Sequence, residues 1–223
     1  MKNNKSLFLV FAISLFLMSG FMSFSYANEI VDCNGNPIKT GKKYYIAPWF
    51  DKSRGLTYES CRRWDYIRLA KKNSKEATAV KIYLSKEKNK DDLTLTSGDK
   101  IAIKMCSSNY SGYEYLKSPN SGGWVYLDNN PSYFRLDQEG SKKTVSFQVG
   151  STTRYFDKYG RPHDKWFSDY SVTDETFFTW ERAVGIFIDH SKLWVGARQR
   201  FHPYAWDPSV KAPAPAYYLV PAE

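Results

Sequence analysis

The chain has 223 residues, a formal net charge of +9 and only three cysteines. This length is enough to bury a hydrophobic core, so the fold need not depend on disulfides. The positive charge is concentrated in residues 62–90, which contain ten basic and three acidic residues. Few aromatic residues accompany them, so nucleic-acid binding is a poor fit. Two interpretations of this charge stay open, a directed electrostatic role and a solvated face that keeps the protein in solution.

The first 27 residues have the three parts of a secretory signal peptide. Two lysines precede an uncharged apolar run over residues 7–21, and the small residues Ser25 and Ala27 lie three and one before a cleavage position. The run is shorter than the ~20 residues that a membrane span requires. We therefore predict cleavage after Ala27 and no membrane span. The mature chain is predicted to be one secreted domain, residues 28–223, in the extracellular space or the periplasm, where disulfides are permitted.

The remainder of the chain has the pattern of an all-β protein. Asn34-Gly35, between two short apolar runs, is a hairpin signal because both residues adopt positive φ at low cost. No long stretch has helical periodicity. We predict strands over residues 43–47, 66–69, 79–84, 93–96, 100–105, 124–127, 133–136, 144–149, 183–188, 192–195 and 217–220. Strands of this number and spacing are typical of a sandwich or a closed barrel.

The first strand-turn-strand resembles the opening signature of the Kunitz-type (soybean trypsin inhibitor) family. The residues at the signature positions are Ile30, Asp32, Gly35, Ile38, Tyr44 and Ile46. Residues 93–106, 133–136 and 184–195 resemble later stretches of the family in the same order. The resemblance implies a β-trefoil of twelve strands in three four-strand units, which we place at residues 28–92, 93–150 and 151–223.

The resemblance also implies inhibition of an extracellular protease by the loop that joins the fourth and fifth strands. This loop corresponds to residues 85–92, where Lys86 and Lys88 are candidate P1 residues for a trypsin-like serine protease and Lys86 is the first choice. The loop-supporting Asn of the family corresponds to Thr40, whose hydroxyl has fewer donors than a carboxamide. The loop is shorter than in typical members, and neither lysine is followed by an apolar residue.

The three cysteines are Cys33, Cys61 and Cys106, and their spacing alone does not pair them. The resemblance implies a disulfide between Cys61 and Cys106, which would stabilise the fold by about 4 kcal/mol in a chain-entropy treatment. Cys33 is then left over. It is either a buried thiol in a monomer or one half of an intermolecular disulfide in a dimer.

The family's second disulfide has no counterpart here, and residues 154–182 form what we predict to be an enlarged connection instead. Nine of its 29 residues are aromatic. Burial of these rings is one interpretation, since it would replace the missing disulfide. The other is a binding surface for carbohydrate or a host surface protein. The candidate residues of that surface are Tyr159, Trp166, Tyr170 and Trp180.

The sequence contains no motif typical of catalysis, metal binding or phosphate binding. We therefore predict that the protein is not an enzyme and needs no cofactor or metal. The leading hypothesis is a secreted Kunitz-type protease inhibitor. The alternative is a non-catalytic β-trefoil binding module, either lectin-like or a ligand of a host surface, that uses residues 154–182.

Overall fold

The computed structural model describes residues 28–119, 123–138, 142–159, 161, 164–182, 191–199 and 215–222. These residues form thirteen strands and one short 3-10 turn, Lys165–Phe167. The strands are β1 (Lys43–Pro48), β2 (Leu56–Cys61), β3 (Trp64–Leu69), β4 (Val80–Leu84), β5 (Asp99–Met105), β6 (Tyr115–Lys117), β7 (Gly123–Trp124), β8 (Tyr126–Asp128), β9 (Phe134–Gln138), β10 (Val145–Phe156), β11 (Tyr170–Arg182), β12 (Leu193–Gln199) and β13 (Tyr217–Pro221). In this part of the chain no helix has the length and apolar character that crossing a membrane requires.

Ten of these strands close into one antiparallel barrel. Their order is β3-β8-β6-β5-β4-β1-β13-β10-β11-β12, and the pairing of Trp194 with Arg68 joins β12 back to β3. The other three strands lie outside this ring: β2 pairs with β3, β7 with β12, and β9 with both β5 and β10. Closure pairs the strand edges that an open sheet would expose.

The all-β prediction is confirmed, but the barrel is not the predicted set of twelve strands in three four-strand units. The largest difference is the predicted connection over residues 154–182, most of which is instead a long hairpin of β10 and β11. Thr, Val and aromatic residues recur along both strands, and these residues fit an extended pleated backbone. The predicted strand over residues 93–96 forms isolated bridges. The predictions for residues 1–27 and 183–188 lie outside the described residues.

The opening signature supplies part of the core. Ile30, Ile38, Tyr44 and Ile46 are all at most 5% exposed. Between the first two, the buried carboxylate of Asp32 accepts hydrogen bonds from the backbone N–H groups of Asn34 and Asn36, at 2.7 and 3.0 Å. An Asp side chain that bonds its own backbone two residues later is a common turn former.

Candidate functional site

The loop over residues 85–92 is turned rather than extended. The Glu87 N–H donates to the carbonyl of Leu84 at 3.3 Å, and the Lys90 N–H donates to the carbonyl of Glu87 at 3.2 Å. Asn89 and Asp92 have positive φ, 62° and 61°. Such left-handed positions are rare outside glycine and end successive turns. The loop therefore projects as a compact double turn.

Thr40 attaches this loop to the first turn of the chain. Its hydroxyl donates to the carbonyl of Lys90 at 2.7 Å and accepts from the N–H of Leu93 at 3.0 Å. Its backbone N–H donates to the Leu93 carbonyl at 2.8 Å, and its carbonyl accepts from the Asp92 N–H at 3.0 Å. Thr40 is fully buried, so water does not compete for these bonds. The Thr40 side chain is shorter than the Asn of the family, and it reaches the loop because the loop is also shorter than in typical members.

The two candidate P1 lysines have different surroundings. Both are exposed, and Lys86 forms no ion pair with any described residue. The Nζ atom of Lys88 lies 5.9 Å from the ring centroid of Tyr133, at the edge of a cleft of about 200 Å³. Lys88 also belongs to the second turn. Lys86 belongs to the first turn, so neither lysine lies on the extended backbone on which a substrate-like inhibitor places P1.

The second candidate region is the end of the β10–β11 hairpin, here called the hairpin tip (residues 157–159, 161 and 164–169). The carboxylate of Asp157 organises it by accepting from the N–H groups of Tyr159 and Arg161, each at 2.9 Å, and from Nε of Arg161 at 2.8 Å. The Arg161 N–H, as the largest cause, holds the pKa of Asp157 below its usual value. The tip thus has a defined backbone conformation.

Three large aromatic side chains are exposed at the hairpin tip. Tyr159 is 71% exposed, Trp166 86% and Phe167 72%. Cationic groups of Lys158 and Arg161 lie 5.1 and 5.2 Å from the Tyr159 ring centroid. These cations stack within the tip rather than on the barrel. The sequence prediction did not include Phe167, because its exposure depends on the conformation of the hairpin tip and not on its residue type.

The hairpin separates the four residues predicted to form one binding surface. Tyr159 and Trp166 lie at the tip, and Tyr170 begins β11 beside it. Trp180 lies ten residues further along β11, which corresponds to about 33 Å of extended chain. Its ring packs 5.2 Å from that of Phe50, in T-shaped geometry. Trp180 therefore belongs to a different region of the surface.

Trp49 and Phe50 mark that other region, and the sequence prediction did not include them. They follow β1 directly and are 58% and 43% exposed. Their ring centroids are 6.2 Å apart at 89°. The only sequence signal for a site here was the adjacent pair Trp49-Phe50, which follows Pro48 at the end of a strand. Exposure of both rings was not predictable, because most aromatic residues that the structure describes are at least partly buried.

The predicted disulfide between Cys61 and Cys106 is absent, and no described cysteine is disulfide-bonded. The segments around the two residues do meet, because Tyr58 donates to Ser107 at 3.2 Å. However, Cys106 is exposed, whereas Cys61 is half-buried at the end of β2. The two sulfur atoms do not lie within bonding distance of each other. Cys33 is half-buried, and its thiol lies 3.6 Å from the side-chain oxygen of Asn34.

Sequence comparisons find no relative, since no protein-family model and no curated protein matches the chain. Solved structures match in fold. Type II water-soluble Chl-binding proteins have a TM-score of 0.56 at 12% identity, over 88% of this chain and 99% of that chain. The rice (Oryza sativa) bifunctional α-amylase/subtilisin inhibitor has a TM-score of 0.51 at 12% identity, over 86% of this chain and 99% of that chain. Both are Kunitz-type proteins.

A third match is the ligand-binding domain of botulinum neurotoxin serotype D in complex with N-acetylneuraminic acid. Its TM-score is 0.56 at 14% identity, over 93% of this chain and 47% of that chain. The chain thus spans about half the length of the toxin domain. Identities this low show a similarity of fold alone. The matched proteins are inhibitors or binding proteins rather than enzymes, and β-trefoil domains are among them.

Proposed function

We propose that the chain is a non-catalytic binding module that attaches to a protein on a cell surface through the hairpin tip. The observation that carries this proposal is the group of three exposed rings, Tyr159, Trp166 and Phe167, at one end of a long hairpin. Single exposed aromatic residues are common on proteins, but three large exposed rings within one short hairpin tip indicate an interaction site. Trp and Tyr are also the residues that dominate binding energy when a partner buries them.

The shape of the tip favours a protein partner. Its rings protrude, as Trp166 is 86% exposed, and a protruding Trp gains most when it enters a pocket on the partner. Residues 157–169 contain equal numbers of acidic and basic residues. The tip therefore has no net charge that would attract it to an anionic surface. Hydrogen bonds around Asp157 already order the backbone, which lowers the entropy cost of binding.

Binding of the fluorescently labelled chain to intact cells, measured by flow cytometry on plant, insect and mammalian lines, tests this proposal. We expect saturable binding to at least one line and a loss of affinity of about tenfold or more for Trp166→Ala. Trypsin treatment of the cells beforehand should abolish binding, because the partner is a protein.

The matched control is Trp64→Ala, which removes an indole that is 37% exposed in β3, away from the tip. It should bind as the unmodified chain does. Absence of binding to every line, or equal affinity of the Trp166→Ala variant, would refute the tip as the binding site. Binding that survives trypsin but not periodate would assign the tip to carbohydrate and contradict the protein partner.

A second candidate function is inhibition of a secreted trypsin-like serine protease by residues 85–92. The specific observation in its favour is the buried Thr40 hydroxyl, which bonds Lys90 of the loop and Leu93 directly after it. A loop held in this way loses little entropy on binding. The fold similarity to the rice α-amylase/subtilisin inhibitor adds support at the level of fold.

Inhibition assays with trypsin, subtilisin and papain distinguish this second function. If the loop inhibits, Lys86→Ala should weaken trypsin inhibition by about 100-fold or more, because the P1 side chain fills the specificity pocket. Lys88→Ala should have a smaller effect. Lys75→Ala, on an exposed loop elsewhere, is the control. No inhibition of any of the three proteases would remove this candidate function.

We further propose that residues 1–27 are a signal peptide and that residues 28–223 fold as one secreted barrel domain related in fold to the Kunitz-type β-trefoils. Burial of the opening signature supports the fold assignment, as does the pairing of β1 with both β4 and β13. The Kunitz-type matches are consistent with it.

A further inference from the structure

A cleft of about 430 Å³ lies between the end of β1 and strands β9 to β11, a volume typical of small-molecule sites. Trp49 forms one wall. Its backbone N–H donates to the carbonyl of Ala216 at 3.0 Å, so its position is tied to the start of β13. The Trp49 ring is nevertheless 58% exposed. The cleft therefore presents an indole face on a fixed backbone.

Trp180 forms a second wall. Its ring lies 5.1 Å from that of the buried Tyr217, at 86°, and 5.2 Å from that of Phe50. Phe50 in turn contacts Trp49. This chain of edge-to-face contacts holds both indoles in place, and such pairs are worth about 0.5–1.5 kcal/mol each beyond their buried area. A ligand that stacks here meets preorganised rings.

Hydroxyl groups line the remainder of the cleft. Those of Thr144, Ser146 and Thr179 have no hydrogen-bond partner among the described residues. Ser146 pairs with Asp137 across β9 and β10, so the two side chains lie on one face of the sheet. The Asp137 carboxylate is held by Arg135 at 3.0 Å and keeps further lone pairs for a ligand.

We propose that this cleft binds a neutral pyranose sugar. The apolar C–H face of such a ring stacks on an indole, while its hydroxyls, which donate and accept, fit the three Ser and Thr hydroxyls and the carboxylate of Asp137. The ionic groups of the lining are one acid, Asp137, and one base, Lys142. Their opposite charges favour an uncharged ligand over an anionic or a cationic one.

This site is independent of the proposed tip function. Trp180 and the tip lie at opposite ends of β11, so a variant in one region leaves the other unchanged. Sugar binding at the cleft and protein binding at the tip can therefore fail separately.

The test is titration of the purified chain with methyl α-glucopyranoside, methyl α-mannopyranoside and methyl β-galactopyranoside. Saturation-transfer NMR measures the binding. We expect saturable binding of at least one sugar. Trp49→Ala should weaken it by about tenfold or more, because it removes a stacking face. Thr144→Val, which keeps the shape but removes a hydroxyl, should weaken it several-fold, and Trp49→Phe should retain most of the affinity.

Two controls make the result decisive. Trp166→Ala at the hairpin tip should bind the sugar unchanged. Cyclohexanol, an apolar ring with one hydroxyl, should give no saturable signal at the same concentration. Failure of all three sugars to bind, an unchanged affinity in Trp49→Ala, or an equal response to cyclohexanol would overturn the proposal. Trp49→Ala is expected to fold, because the indole is mostly exposed.

Discussion

Replacement of Phe178 by alanine should lower the free energy of unfolding by about 4 kcal/mol. Phe178 is 1% exposed, and its ring centroid lies 4.6 Å from that of Phe134 and 5.6 Å from that of Phe147. These rings join β9, β10 and β11 inside the barrel. Truncation leaves a cavity that hydrogen-bonded strands cannot easily close. Guanidinium unfolding of the purified chain, followed by fluorescence, measures the loss.

Phe167→Ala is the matched control, because it makes the same change to a ring that is 72% exposed. It should alter the free energy of unfolding by less than about 0.5 kcal/mol. Phe178→Leu keeps much of the volume and should cost less than Phe178→Ala. Equal losses for Phe178→Ala and Phe167→Ala would contradict the packing described for this part of the barrel.

The Arg68→Ala variant should lose about 3 kcal/mol of unfolding free energy. The Arg68 side chain is 10% exposed, with Nε 2.8 Å from Glu59 and NH1 3.2 Å from Glu76. Lys192, immediately before β12, binds the same Glu59 carboxylate at 2.8 Å. This network lies where β3 pairs with β12 and the barrel closes. Both carboxylates are about one-third exposed, and their hydration keeps the cost from rising further.

The dependence of stability on pH tests the same network with a defined sign. The pKa of Glu76 is lowered from its ordinary value of 4.5, first by the N–H of Lys71 and then by Arg68. A carboxyl with a lowered folded-state pKa adds stability above its unfolded-state pKa, and that stability is lost as the pH falls through the folded-state value. Without Arg68 the lowering shrinks. The variant should therefore lose less stability than the unmodified chain as the pH falls below about 4.5.

Arg63→Ala provides the comparison, because Arg63 is exposed in the turn between β2 and β3. Its effect should stay within about 0.5 kcal/mol, with an unchanged acid profile. If Arg68→Ala behaves like Arg63→Ala in both measurements, the buried network does not stabilise the closure of the barrel.

Local features were predictable because they depend on neighbouring residues. Asp32 and Gly35 form the opening turn as their side-chain chemistry and φ preference suggest. Most predicted strands are present within one or two residues at their ends, since β-branched and apolar alternation is a property of the segment itself. The position of the loop support was predicted at Thr40, whose hydroxyl bonds Lys90 within residues 85–92 and Leu93 directly after them.

Other features were not predictable because they depend on residues far apart. Trp166 and Trp180 lie far apart because β11 is long. The turn-like composition of residues 157–169 gave no indication of this length. The inhibitory role of Lys86 and Lys88 stays a prediction. The double turn of their loop was not predictable from the length of the loop. The structure does not show the disulfide between Cys61 and Cys106 that the resemblance implied, because position in the chain does not determine the distance between two sulfur atoms.

The sequence by itself determined an all-β chain, its opening turn and most of its strands. Tertiary structure alone decided that ten strands close into a barrel, through pairings such as β1 with β13 and β3 with β12. It also decided which aromatic rings remain exposed, those of Trp49 and Trp166 rather than that of Trp194. The physical reason is that turn and strand preferences act between near neighbours. Burial and register arise only when distant segments meet.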